Sequence, residues 1–289
     1  MTARASSLLA GSGEDFLLMG VINVTPDSFS DGGQFLGREA AVAHGLELHR
    51  QGAAILDVGG ESTRPGAMPV GADEELRRVL PVLEGLGPAR AQLSIDTSKA
   101  PVAARALEAG ATFVNDVTAL RADPDMAAVI AEAGAECCLM HMLGDPRTMQ
   151  DDPRYEDVVS EVKAFLEQRL QFAVGQGIAE DRIVLDPCIG FGKTLDHNLE
   201  LLVRMDELVA LGRPVLVGSS RKSFIGRLTG RPVDERVAGT IATNVIAYEG
   251  GARIFRVHDV APVGDALAVA AATVRRRWTA TTSRASSTT

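Results

Sequence analysis

Residues Gln92 to Asp116 read QLSIDTSKAPVAARALEAGATFVND. An apolar run, Gln92 to Ile95, ends on Asp96; an Ala-rich stretch of helical period follows from Pro101 to Glu108; then come Gly110 and a second apolar run, Thr112 to Asn115. Short runs of branched residues suit strands buried on both faces, and a helix placed between two of them makes the pair parallel. Gly110 falls where the helix stops and the chain turns back. A left-handed residue is needed there, and glycine takes that conformation without a Cβ clash.

Moving outward from this segment, the same unit recurs in both directions. The further strand candidates are Phe16 to Val24, Ala54 to Val58, Glu136 to His141, Ile183 to Leu185, Pro214 to Gly218 and Arg253 to Val257. Helix candidates between and after them are Arg38 to Gln51, Glu74 to Glu84, Asp125 to Glu132, Tyr155 to Gly175, Leu195 to Leu211, one beginning near Ser223, Asp234 to Glu249 and Pro262 to Arg277. Gly52, Gly134, Gly177, Gly212 and Gly251 repeat the punctuation of Gly110. Eight strand-helix units predict an α/β fold, a single (β/α)8 TIM barrel over residues 14–278, with mobile loops at the C-terminal face of the strands. An open eight-stranded sheet satisfies the same periodicity less economically. Residues 1–13 are expected to form a flexible segment, and the Thr- and Ser-rich residues 279–289 a disordered tail.

Composition narrows the function. The 289 residues are 46% hydrophobic and 23% charged with a net charge of -9, and no block of Lys and Arg could track a nucleic-acid backbone. No nucleic acid partner is expected. No run of 18 apolar residues exists, so no membrane partner is expected either. Cys137, Cys138 and Cys188 lack zinc-ligand spacing and read as buried free thiols. With no signal-like start, they point to a cytoplasmic protein.

In a barrel of this kind the chemistry sits where strands end. Strand one ends on Asn23, strand two leads to Glu61, Ser62, Thr63 and Arg64, and strand three ends on Asp96. Strand four ends on Asn115 and Asp116, five on His141 and six on Asp186; seven leads to Ser219, Ser220, Arg221 and Lys222, and eight carries Arg256 and His258. Any one such residue, Asp96 or Asp116 among them, could simply cap the next helix. Eight together describe a site. Its acids and amides suit a donor-rich heterocycle, and its cations suit an anion. The segment Thr25 to Gly33 joins turn formers to Phe29 and reads as a lid. At the seventh strand either Lys222 or Arg221 could be the working cation. His141 reads as a satisfied wall residue, and Phe191, between two glycines, as part of an exposed loop.

These segments resemble one family, the dihydropteroate synthases. The match runs from about Met19 to Ala272 through MGVINVTPDSFSDGG (Met19 to Gly33), DVGGESTRPG (Asp57 to Gly66), SIDT (Ser94 to Thr97) and VNDV (Val114 to Val117). It continues through LMHM (Leu139 to Met142), Asp186-Pro187 with GFGK (Gly190 to Lys193), SRKS (Ser220 to Ser223) and RVHD (Arg256 to Asp259). The resemblance implies condensation of 6-hydroxymethyl-7,8-dihydropterin diphosphate with p-aminobenzoate, releasing pyrophosphate, with Mg2+ as cofactor and a homodimer through the last three βα units. It implies catalytic roles for Asp96, Asp186, Lys222, Arg256 and His258, and a pterin pocket of Asp96, Asn115, Met140, Asp186, Lys222 and Arg256. It puts the diphosphate on Asn23, Arg64, Arg256 and His258, with Asn23 the metal ligand. Thr63, Pro65, Gly190, Phe191, Ser220, Lys222 and Ser223 would form the p-aminobenzoate side. Where the family commonly has Gly after Asp-Pro, this chain has Cys188, followed by Ile189. The alternatives are a pterin-dependent methyltransferase barrel, which has no need of the diphosphate set, and a catalytically silent pterin-binding paralogue.

Overall fold

The computed structural model describes residues 15–24, 33–62, 68–144 and 148–285. Within them, eight strands form a sheet in the order β6-β5-β4-β3-β2-β1-β8-β7. They are β1 (Leu17–Asn23), β2 (Ile55–Gly59), β3 (Gln92–Asp96), β4 (Phe113–Asp116), β5 (Glu136–Met140), β6 (Ile183–Asp186), β7 (Leu216–Val217) and β8 (Ile254–Val257). All neighbouring strands run parallel. The two edges meet: Leu185 bridges Val215, and its amide donates to the Pro214 carbonyl at 3.0 Å. The ring is closed, so the barrel reading holds and the open sheet does not.

Strand parity divides the apolar residues into two cores. Leu18, Ile22, Leu56, Val58, Ile95 and Val114 point outward and pack beneath the helices. Leu17, Met19, Ile55, Phe113, Cys138, Val184, Leu216 and Ile254 point inward and fill the barrel. Successive residues on a strand face opposite sides, so the inward set alternates with the outward set along each strand. This rule also decides which polar strand ends reach the mouth.

Six glycines read as helix terminators, Gly52, Gly110, Gly134, Gly177, Gly212 and Gly251, all have positive φ. The helix expected over Leu195 to Leu211 is broken at Arg204 (φ -102°, ψ 31°) into Leu195–Val203 and Met205–Val209. The stretch from Asp234 opens with a 3-10 turn, Val233–Glu235, before the helix Val237–Glu249. The last helix spans Val260–Ala285. It passes the expected end at Arg277 and enters the segment read as a disordered tail, because no Gly or Pro after Gly264 stops its propagation. The expectation for residues 1–13 lies outside the described residues.

Candidate active site

Inward parity at the strand ends brings together Asp57 on β2, Asp96 on β3, Asn115 on β4, Asp186 on β6 and Arg256 on β8. The register makes this a layer: Asn23 pairs with Gly59, Gly59 with Asp96, and Asp96 with Asn115. The Arg256 side chain reaches over β1, with Nε 2.6 Å from Asp57 Oδ2 and Nη2 2.7 Å from Asp96 Oδ2. Asp57 is fully buried and takes two further donors, Ser94 Oγ at 2.5 Å and Asn115 Nδ2 at 3.0 Å. Asn115 Oδ1 is buried and accepts no hydrogen bond from the described residues.

The electrostatics of the mouth are those of acids crowded into a dry place. Burial raises Asp96 to about 7; Arg256 pulls the other way, and Asp57 adds to the rise. Asp186 is also raised by burial, with Lys222 and the amide of Cys188, 2.6 Å from Asp186 Oδ1, opposing. Arg256 stays charged, because its two carboxylates outweigh the burial that works against it. Burial lowers Lys222, whose Nζ donates to the Ile189 carbonyl and lies 4.3 Å from the centre of the Phe191 ring.

Geometry separates the two cations after β7. Arg221 makes a bidentate pair with Asp259, Nη2 to Oδ1 at 2.5 Å and Nε to Oδ2 at 2.9 Å, whereas Lys222 turns toward Asp186 and Phe191. Ser220 Oγ lies 3.0 Å from His258 Nδ1 and accepts the His258 amide at 3.2 Å, joining the loops after β7 and β8. Met140 is buried, its sulfur 3.9 Å from the Cys188 thiol.

Between Asp186 and Lys193 the chain makes a tight turn. Cys188 has φ +53°, so the position that favours glycine carries a side chain held in the left-handed region, at a cost of roughly 1 kcal/mol. Gly190 has φ +88°, and a Cβ there would come 2.9 Å from Lys222 Cδ. Its amide donates to Asn198 Oδ1 at 2.6 Å. Lys193 is buried beneath the turn, with Nζ 2.9 Å from His141 Nδ1, 2.9 Å from the Phe191 carbonyl and 3.3 Å from that of Cys188. Burial lowers Lys193 to about 7 and, with the lysine beside it, lowers His141 to about 2. His141 is thus a buried neutral wall residue.

The structure therefore brings together Asp96, Asn115, Met140, Asp186, Gly190, Phe191, Ser220, Lys222, Arg256 and His258, with Asn23 half-buried at the rim and Ser223 exposed beyond Lys222. Thr63, Arg64, Pro65 and the lid residues Thr25 to Gly32 lie outside the described residues. Asp116 has outward parity, and its carboxylate accepts the Thr118 amide and hydroxyl and the Leu120 amide, so it fastens the turn after β4 and does not cap the next helix, whose N-cap position is Asp125. Two residues given no role from sequence are central: Asp57 and Lys193. A charged residue inside the apolar run Ala54 to Val58 was the available signal for the first. Among the described residues no three His, Cys, Asp or Glu side chains cluster as a metal cage.

A closed parallel barrel with acids, an amide and cations converging at the C-terminal mouth defines an α/β-barrel enzyme that grips a donor-rich ring carrying an anionic tail. The family model described as "Pterin binding enzyme" matches residues 19–258. The dihydropteroate synthase of Escherichia coli (strain K12) is 45% identical over 258 residues, covering 89% of this chain and 91% of that protein. The Xanthomonas albilineans dihydropteroate synthase with 4-aminobenzoic acid superposes with a TM-score of 0.85 at 48% identity, covering 90% of this chain and 93% of that one. The same organism's enzyme in complex with 7,8-dihydropteroate gives 0.82 at 45% identity, covering 90% and 94%. The chain belongs to the family of pterin-binding enzymes, and within it to the dihydropteroate synthases.

Proposed function

We infer that this chain condenses 6-hydroxymethyl-7,8-dihydropterin diphosphate with p-aminobenzoate, forming 7,8-dihydropteroate and releasing pyrophosphate. The observation that carries the assignment of roles is the inward layer of Asp96, Asn115 and Asp186 beside Arg256 and Lys222. Carboxylates and an amide oxygen accept hydrogen bonds, so they suit the NH and NH2 edge of a pterin. Arg256, fixed edge-on by Asp57 and Asp96, offers its flat face to a ring.

Bond breaking at the pterin methylene leaves negative charge on the departing diphosphate and positive charge spread into the ring. Arg64, Arg256 and His258 stabilise the first, and the buried Asp186 favours the second. Mg2+ retains several waters and takes few protein ligands, so the single amide oxygen of Asn23 at the rim suits it beside diphosphate oxygens, although the described residues form no cage. When bound it neutralises charge on the leaving group. The arylamine is neutral at pH 7 and attacks without losing a proton first. Phe191 and Lys222 wall the p-aminobenzoate side, with Ser220 and Ser223 beyond them; Thr63 and Pro65, assigned to that side by the resemblance, lie outside the described residues.

A coupled assay with pterin diphosphate, p-aminobenzoate and Mg2+ should show pyrophosphate release that requires all three. Asp186→Asn should fold normally and lose about 100-fold or more in kcat, on the scale of one removed electrostatic partner; unchanged turnover would remove Asp186 from the mechanism. The resemblance carries the expectation of a homodimer through the last units. A sedimentation mass equal to one 30.5 kDa chain would refute it. No helix among the described residues is long and apolar enough to cross a membrane. All three cysteines are free and buried, which agrees with a reducing, cytoplasmic setting.

A further inference from the structure

Asp57 touches three side chains and has no exposed surface, so a substrate cannot reach it without displacing one of them. Its Oδ1 accepts Ser94 Oγ, and its Oδ2 accepts both Asn115 Nδ2 and Arg256 Nε. An ionised carboxylate only accepts hydrogen bonds, and in an asparagine only the NH2 donates. The bond at 3.0 Å therefore decides which end of the Asn115 amide faces Asp57 and which end is left for a ligand.

The end left over is Asn115 Oδ1, and it is buried with no donor among the described residues. A buried carbonyl oxygen without a partner is costly, and a ligand N–H placed against it removes that cost. Were the amide turned the other way, an NH2 would face the ligand while the carbonyl oxygen faced the Asp57 carboxylate. Such an arrangement would favour a ligand acceptor and put two acceptors in contact.

We propose that Asp57 is a positioning residue that locks the orientation of the Asn115 amide, so that this point of the pocket presents an acceptor and selects a heterocycle with an N–H donor there. The proposal rests on the pterin-site reading above and adds the device that sets its hydrogen-bond polarity. Ser94 braces the carboxylate from below, and the inward parity of Ser94 and Asp57 on adjacent strands, paired in register, makes the brace rigid. The same carboxylate orients the Arg256 guanidinium, so one buried group aligns both an in-plane and an overlying contact.

The test is a double-mutant cycle read by calorimetric titration with 6-hydroxymethylpterin alone, on the full chain, for wild type, Asp57→Asn, Asn115→Ala and the double variant. Asp57→Asn should weaken pterin binding about 10-fold or more, the scale of a charge-assisted hydrogen bond, and leave the KM for p-aminobenzoate within about two-fold. In the Asn115→Ala background the same change should cost several-fold less than in wild type, since only its effect through Arg256 remains. An equal loss in both backgrounds, or a parallel loss for p-aminobenzoate, overturns the proposal. If Asp57→Asn does not fold, Ser94→Ala decides: it should weaken pterin binding about two- to five-fold with p-aminobenzoate unaffected, and unchanged pterin binding overturns the proposal. Failure of the wild type to release pyrophosphate would count against the reaction assignment and leave this orientation result standing.

Discussion

At Asp96 a single carboxyl is held by opposing influences, and its protonation decides what the pocket can bind. In the free chain burial brings it to about 7, with Arg256 the principal influence against the rise. A protonated carboxyl gives up one acceptor site and the charge that strengthens the other, so the form competent for a ring N–H is the ionised one. The raised value places its loss on the acid side. As pH falls from 8 through 7 to 6, the KM for the pterin substrate should climb, while the KM for p-aminobenzoate stays level. Asp96→Asn should bind the pterin more weakly and show no such climb. Initial-rate measurements at three pH values decide it, and an equal pH response in the variant would assign the titration to another group.

The turn after β6 shows how an element can serve the site through its backbone alone. Gly190 has φ +88° and sits against the Lys222 stem, so Gly190→Ala meets both a backbone penalty of roughly 1 kcal/mol and a steric push on the cation. Gly177 has φ +93° at the end of the helix Val158–Gly175, and a Cβ there would approach only Ala131, at 3.8 Å. Gly177→Ala should therefore lower stability by about 1 kcal/mol with kcat/KM intact. Gly190→Ala should lower stability similarly and reduce kcat/KM about 10-fold or more. Urea unfolding beside initial rates separates the two, and equal activity in both variants would break the link between the turn and Lys222. The sequence revealed this turn as a Gly-containing motif but not its support. Lys193 is buried there by the Cys188 and Phe191 carbonyls of its own turn and by His141, which comes from the distant end of β5. Nothing local to Lys193 marks it as a buried hub.

Across the whole barrel, periodicity was enough to reveal eight strands and the side on which chemistry sits, because both follow from local alternation and from what ends each apolar run. Register was not readable, and register is what sets Arg256 against Asp57 and Asp96 across β1. It also locates the weakest seam. β7 has two residues, and it meets β6 through one bridge, Leu185 to Val215, whereas β1 to β3 pair along five positions each. Local opening is easiest where the fewest backbone hydrogen bonds must break. The seam lies between the strands that carry Asp186 and Lys222, so a pterin held by both bridges the strands on either side of it. Amides of Leu216 to Gly218 should exchange with solvent faster than those of Leu93 to Ile95 in the free chain, and saturating pterin should slow the former far more than the latter. Hydrogen-exchange mass spectrometry with and without 6-hydroxymethylpterin reads this directly. Uniform protection across all eight strands would mean that the ligand stabilises the barrel as one unit, and that the seam between β6 and β7 opens no more readily than the rest.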